Sequence, residues 1–146
     1  MKKLLIIVIA LFSTKLQAQK NCSVTNHAFQ AGEELNYVVN YNWGAIWMTT
    51  AEVTFSTKLE ELNGKKVFHF EGIGGTYPKY DWFYKVRDKY ESYADTLNLK
   101  PLRFKRDVYE GGSSYKEDYV FNQRKNKVYT SKQKGKTSTF DSLTIS

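Results

Sequence analysis

The strongest constraint on the fold of this chain is an alternation of apolar and polar side chains with a period of two residues. The alternation runs from Leu35 to Tyr41 and again from Trp47 to Phe55. Successive side chains of a β-strand point to opposite faces, so this spacing predicts strands that each bury one face. Aromatic residues, which suit a pleated and half-buried surface, make up 16% of the chain.

Short polar or glycine-containing segments separate the predicted strands. Asn63-Gly64 suits a tight hairpin, while Asp95–Leu99 and Glu110–Ser113 predict further turns. Gly72–Gly75 predicts a bulge or sharp bend. Pro78–Lys85, with aromatic residues three and four apart, predicts one or two helical turns. Together these signals predict a mostly β fold, an antiparallel meander forming an open or incomplete barrel with one short helix.

The first eighteen residues have the order of a secretory signal peptide. Lys2 and Lys3 precede an unbroken apolar run, Leu4–Phe12, and a polar stretch then leads to the small residue Ala18. The apolar run has nine residues, whereas a membrane-spanning helix needs ~20. We therefore expect export, cleavage near Ala18, and no transmembrane segment after cleavage.

These signals divide the chain into four parts. Residues 1–18 are the predicted signal peptide, 19–30 a loose N-terminal segment, and 31–132 an antiparallel β domain. Residues 133–146 are either a polar tail or the start of a truncated second portion. Cys22 is the only cysteine, so no internal disulfide can form and we interpret it as an unpaired thiol.

The charge pattern disfavours nucleic acid as a partner. The whole chain carries a net charge of +7, and removal of the leader leaves 19 basic and 15 acidic residues. Basic and acidic side chains alternate along predicted strands, as in Lys85–Lys89, instead of forming a basic block. We interpret them as a solvated surface and expect no nucleic-acid partner.

Motifs of catalysis or metal binding are not evident in the sequence. His27 and His69 have no second His, Cys or paired carboxylate at a recognised ligand spacing, so we predict no metal site. Ser113-Ser114 lies in a glycine-rich turn without the strand–turn–helix context of a nucleophile elbow. We assign no catalytic residue and expect no cofactor.

Large aromatic residues form the first candidate ligand site. Their rings either line a cleft for an apolar or sugar ligand, or fill a small β core and cover a barrel mouth. The six residues are Trp43, Trp47, Tyr77, Tyr80, Trp82 and Phe83.

Arg106 is the second candidate, because it shares a predicted strand face with the apolar residues Leu102, Phe104 and Val108. A guanidinium buried without a partner is costly, and Asp88 and Glu110 are the candidate partners. The three residues are either a structural ion pair or, through Arg106, an anchor for an anionic ligand.

Five segments carry a resemblance to a known family: Ala31–Leu35, Trp43–Trp47, Tyr77–Tyr93, Leu99–Phe104 and Glu110–Gly112. They are similar to the domain of unknown function family 3108, exported proteins of Gram-negative bacteria, and the similarity extends from Phe29 to Asp141. The resemblance implies a largely β, open-barrel-like domain of the cell envelope, whose members usually continue into a further sheet portion. The family has no agreed activity, so the resemblance transfers no catalytic residues.

We therefore expect a periplasmic or secreted protein whose β domain is non-enzymatic. Its expected ligand is a lipid or another apolar or amphipathic small molecule, or it binds an envelope protein. Two alternatives stay open. One is a structural or assembly module that pairs through exposed strand edges, and the other is a periplasmic hydrolase without a recognisable motif.

Cleavage of the leader is the first testable prediction. Protein isolated from its native envelope should have lost about the first 18 residues, because the apolar run is too short to remain as a membrane anchor. Intact-mass measurement checks this. Retention of Met1, or a diacylglycerol on Cys22, would contradict it.

Overall fold

The computed structural model describes residues 26 and 28–145. The predicted signal peptide, Cys22 and His27 lie outside the described residues, as does most of segment 19–30. Within the described part, the chain forms one antiparallel sheet of eight strands that neighbour one another in sequence order. The strands are β1 (Glu34–Trp43), β2 (Ile46–Leu62), β3 (Lys65–Thr76), β4 (Val86–Asp95), β5 (Pro101–Glu110), β6 (Ser113–Asn122), β7 (Lys127–Lys134) and β8 (Thr137–Thr144).

The sheet is open, because β1 pairs with β2 and β8 with β7, and the described strands form no β1–β8 ladder. The predicted antiparallel meander is confirmed. The predicted short helix is a single 3-10 turn, Pro78–Tyr80, in the loop between β3 and β4. The Tyr84 amide also donates to the Tyr80 carbonyl at 3.1 Å, but β4 begins at Val86 and leaves no room for a longer helix. Among residues 28–145, no helix has the length and apolar character needed to cross a bilayer.

The turn between β2 and β3 forms as its sequence predicts. Asn63 has φ 53° and Gly64 has φ 76°, the pair of positive values that a two-residue type I′ hairpin requires. At the other end of the chain, β8 pairs with β7 from Thr137 to Thr144. The segment expected to be a polar tail or the start of a second portion thus contributes an edge strand of the described sheet.

Two local expectations about β2 and β3 are wrong. Pairing of β3 is regular through Gly72–Gly75, where a bulge or bend was expected. A Cβ on Gly72 would lie 3.1 Å from the Phe55 ring, so this glycine allows close packing of an aromatic ring. The irregularity lies in β2, where Ala51 pairs with Val39 and Thr49 with Asn40. The extra residue, Thr50, interrupts the alternation expected from Trp47 to Phe55.

The register gives the sheet two chemically different faces. The apolar face carries aliphatic and aromatic side chains across the strands, and the polar face carries charged side chains opposite one another. The apolar face includes Leu35, Tyr37, Val39, Val53, Phe55, Leu59, Phe68, Phe70, Phe104, Val108, Tyr119 and Phe121. The polar face includes Lys58, His69, Glu71, Lys89, Glu91, Arg103, Lys105, Asp107, Lys116 and Asp118.

The segment before β1 packs onto part of the apolar face. Phe29 lies edge-on to Phe68 and Phe70, with ring centroids 5.2 and 4.9 Å apart. The backbone amide of Gly32 donates to the Thr57 carbonyl at 2.7 Å, which fixes this segment beside β2. The contact covers one end of the apolar face and leaves Leu35, Tyr37 and Val39 of β1 exposed.

Asp95 organises the turn between β4 and β5. Its Oδ1 accepts a hydrogen bond from the Leu97 amide at 2.7 Å, and its Oδ2 pairs with the Lys65 ammonium of β3. The hydrogen bond from Lys65, followed by that from Leu97, holds the pKa of the Asp95 carboxyl below its usual range. The folded state therefore favours the ionised carboxylate.

We predict that Asp95→Asn lowers the free energy of unfolding at pH 7 by about 1–2 kcal/mol, because the amide keeps an acceptor but loses the charge that Lys65 meets. Because the pKa of Asp95 is lower in the folded state than in the unfolded state, its ionised carboxylate stabilises the fold. This stabilisation is complete above the unfolded-state pKa of about 3.9 and is lost as the pH falls through the folded-state pKa. The difference from wild type should therefore close in acid. Urea unfolding at pH 7 and pH 3 measures it.

Asp107→Asn is the matched control. The Asp107–Lys116 pair is 2.6 Å long but exposed on both sides, so its loss should cost less than about 0.5 kcal/mol. Equal losses in the two variants, or a difference for Asp95→Asn that is as large at pH 3 as at pH 7, would contradict the assignment.

Candidate functional site

The six aromatic residues predicted as a ligand site all lie at one end of the sheet. In a meander, alternate connections fall at the same end, and the β1–β2 turn and the β3–β4 loop are two such connections. We call this group the aromatic rim. It consists of Trp43, Trp47, Tyr77, Tyr80, Trp82 and Phe83.

Three rings of the aromatic rim are strongly exposed. Trp82, Phe83 and Trp47 are 83%, 79% and 72% exposed, so these rings lie on the surface. Trp82 and Phe83 contact each other edge-on with centroids 5.9 Å apart. Tyr77 and Pro78 line an open depression of about 470 Å³ beside Thr49 and Lys79.

The loop that carries Trp82 and Phe83 is fastened to the sheet by hydrogen bonds at its base. Asp81 accepts from both terminal nitrogens of Arg87, at 3.0 and 2.7 Å, and from the Thr76 hydroxyl at 2.9 Å. The bonds from Arg87 and then Thr76 hold the pKa of Asp81 below its usual range. Trp82 and Phe83 are thus exposed on a loop that these hydrogen bonds hold against the sheet.

Arg106 lies in the apolar face between two aromatic rings. Its guanidinium carbon is 5.9 Å from the Tyr90 ring centroid and 6.0 Å from that of Tyr115. Its ion pair is with Glu117 of β6, at 3.8 Å, and its Nε is buried with no hydrogen-bond partner among the described residues. Glu117 is the register partner of Arg106, and it was missed because that pairing depends on strand register.

The two carboxylates expected beside Arg106, those of Asp88 and Glu110, interact electrostatically with it and with each other. Burial, and then the charge of Glu110, raises the pKa of Asp88, while Arg106 acts in the opposite direction. Burial opposes ionisation of Arg106, but Tyr90, Glu117 and Glu110 raise the pKa of Arg106 overall. One guanidinium therefore faces three carboxylates, an arrangement that leaves little positive charge for an anionic ligand.

A row of exposed apolar side chains runs along β1 and β2 on the apolar face. We call it the apolar stripe. Tyr37 and Phe55 contact each other edge-on, with centroids 6.0 Å apart, near its middle. Its members, all substantially exposed, are Leu35, Tyr37, Val39, Phe55 and Leu59. The stripe was not singled out from the sequence, although the alternation in β1 placed its first three members on one face.

The fold and its exposed surfaces define a class of protein: an open, single-sheet antiparallel meander with one apolar and one charged face. The chain belongs to the family described as "Protein of unknown function (DUF3108)", whose model matches residues 36–145. No curated protein and no solved structure matches the chain.

Two substitutions in the Arg106 cluster should change the free energy of unfolding in opposite directions. Arg106→Met should lower the free energy of unfolding at pH 7 by about 1–3 kcal/mol, because three carboxylates then repel one another without a cation. Asp88→Asn should raise it, because a raised folded-state pKa means that the ionised carboxylate is disfavoured in the folded protein. The loss of stability caused by ionised Asp88 is complete above its folded-state pKa and absent below its unfolded-state pKa of about 3.9.

Urea unfolding of both variants at pH 7 and pH 3 measures these effects. The gain from Asp88→Asn should vanish at pH 3, when wild-type Asp88 is protonated in both states. A loss of stability in Asp88→Asn at pH 7 would contradict the placement of Asp88 beside Glu110.

Proposed function

We propose that this chain is an exported, non-enzymatic β domain, periplasmic or secreted, that binds the apolar chain of a lipid-like molecule on the apolar stripe. Export rests on the signal-peptide pattern of residues 1–18. Binding rests on one observation, the exposed apolar side chains aligned along β1 and β2.

The dimensions of the stripe suit an extended acyl chain. Val39 pairs with Ala51, and Leu59 lies eight residues further along β2. At ~3.3 Å per residue the stripe is about 25 Å long, the scale of a long-chain acyl group. Apolar side chains exposed side by side on a folded protein often mark an interaction site.

The chemistry of the stripe suits binding without a charged contact. Its side chains are aliphatic and aromatic, so they act by removing apolar surface from water. Val39 is the member nearest the aromatic rim, because β1 continues from Val39 to Trp43. We therefore infer that the ligand enters at the end of the sheet that carries the aromatic rim. Trp47 is the register partner of Asn42, so it lies at this end but on the opposite face from the stripe.

The strand edges support a second candidate function, an assembly module. Neither Glu34–Trp43 nor Thr137–Thr144 contains a lysine, arginine or proline, the residues that commonly block pairing at exposed edges. Edge-to-edge pairing of two copies predicts a concentration-dependent dimer without lipid. Sedimentation velocity of the full chain detects such a dimer.

Adjacent valines of β1 provide the test of lipid binding. Val39 belongs to the apolar stripe, whereas Val38 points to the polar face and is the more exposed, 62% against 42%. Val39→Ser should weaken oleate binding about three- to tenfold, because it removes apolar contact worth about 1 kcal/mol. Val38→Ser should leave the affinity unchanged.

Tryptophan emission during titration with monomeric oleate measures the affinity, and oleyl alcohol tests the role of charge. Wild type should respond saturably to both. No saturable response, or equal weakening in the two variants, would overturn the proposal. Binding to phosphatidylcholine vesicles without binding to monomeric oleate would also overturn it, in favour of a membrane-surface role.

A further inference from the structure

His69 lies at the centre of a polar cluster on the opposite face from the apolar stripe. Its register partners are Lys58 of β2 and Tyr93 of β4, and its side chain is only 6% exposed. Glu71 lies two residues further along β3 on the same face, and Glu91 of β4 is the register partner of Glu71. Ligand atoms of His69, Glu71 and Glu91 all lie within 4.8 Å of one another.

Glu60 sets the tautomer of the His69 ring. His69 Nδ1 lies 2.9 Å from Glu60 Oε1, and an ionised carboxylate only accepts hydrogen bonds, so Nδ1 carries the proton. The Tyr93 ring stacks on the imidazole with centroids 4.4 Å apart and planes 2° from parallel. Ring plane and tautomer are therefore both held, and in the neutral ring Nε2 presents its lone pair towards the carboxylates.

His69 Nε2 needs a positively charged partner. The atom is buried and makes no hydrogen bond to any residue that the structure describes. It lies 3.3 Å from Glu91 Oε1, so in the neutral ring two electron-rich atoms face each other. A proton or a metal ion between the two groups resolves this repulsion.

The two carboxylates are held in place by cations and a phenol. Lys89 Nζ lies 2.8 Å from Glu71 Oε2 and 3.5 Å from Glu91 Oε1, while Lys58 is 3.8 Å from Glu71. The hydrogen bond from Lys89 is the main cause that lowers the pKa of Glu71. The Tyr93 hydroxyl donates to Glu91 Oε1 at 3.0 Å, and burial followed by this bond raises the pKa of Tyr93 to about 12.

We propose that His69 Nε2 and one carboxylate oxygen from each of Glu71 and Glu91 bind a zinc ion. One nitrogen and two oxygens are ligands that zinc accepts, and three protein ligands leave a fourth position open to water or a small ligand. Tetrahedral bonds of about 2.0–2.2 Å place neighbouring ligand atoms about 3.3–3.6 Å apart. The 3.3 Å between His69 Nε2 and Glu91 Oε1 already lies at the lower end of this range.

Glu60 and Lys89 have distinct roles in this site. Glu60 is the outer carboxylate of a carboxylate–histidine–metal triad, an arrangement that orients the ring and raises its basicity. Lys89 is the competing cation, and its side chain is 43% exposed, so it is free to turn into solvent when the metal binds. The Lys105 ammonium, on the neighbouring β5, lies over the Tyr93 ring at 5.7 Å.

Isothermal titration of the full chain with zinc chloride at pH 7, in a Cys22→Ser background, tests the site. One zinc ion should bind per chain. Glu71→Gln and Glu91→Gln should each weaken binding at least tenfold, as should Glu60→Gln through the outer contact. Lys89→Met should strengthen binding, because it removes the competing ammonium. His27→Gln, which changes the other histidine, is the matched control and should have no effect.

Nitrogen-15 correlation spectra of the histidine rings test the site with all of its ligand residues unchanged, so the result does not require any ligand variant to fold. The Nε2 resonance of His69 should shift on addition of zinc while Nδ1 keeps its proton. No zinc binding, or binding lost in His27→Gln but retained in Glu71→Gln, would overturn the proposal. An imidazolium that keeps both protons in excess zinc would also overturn it, and would identify a proton as the occupant.

Discussion

Backbone hydrogen bonding between sequence neighbours is the interaction on which this structure depends. Each inner strand of the described sheet pairs along its length with the strands immediately before and after it. The packed interior is small, since Val67 and Val108 are the fully buried large side chains among the described residues, and they lie on opposite faces. The ladders therefore carry a larger share of the stability than in a protein with two packed layers.

Cross-strand charge pairs on the polar face support the register of those ladders. Arg103 donates to Asp118 at 2.9 Å, and Lys89 to Glu71 at 2.8 Å, each across a strand boundary. A slip of one residue would move the charged side chains that a strand carries on the polar face to the apolar face. The penalty for such a slip is large even where each exposed pair adds little to stability, so these pairs contribute mainly to specificity.

The parts of the fold that were predicted depend on local sequence, and the parts that were missed depend on register. Asn63-Gly64 specifies its own turn, because few residues adopt two successive positive φ values. The extra residue at Thr50 has no comparable local signal. For the sites, the face of Arg106 followed from alternation in β5, but its contact with Glu117 requires knowledge of which residue of β6 lies opposite. His69 and Glu71, two residues apart, were the one available signal of the polar cluster, and Glu91 joins them only through the β3–β4 register.

The single-layered sheet has a consequence for how the two faces of this chain can evolve. Neighbouring residues of a strand, such as Val38 and Val39, face different surroundings, and within residues 28–145 no second layer of strands connects those surroundings. Substitutions on the two faces share few partners, so their effects on stability should add. Selection can therefore alter the chemistry of one face while the other stays constant, which makes the fold a scaffold with two separately adjustable surfaces.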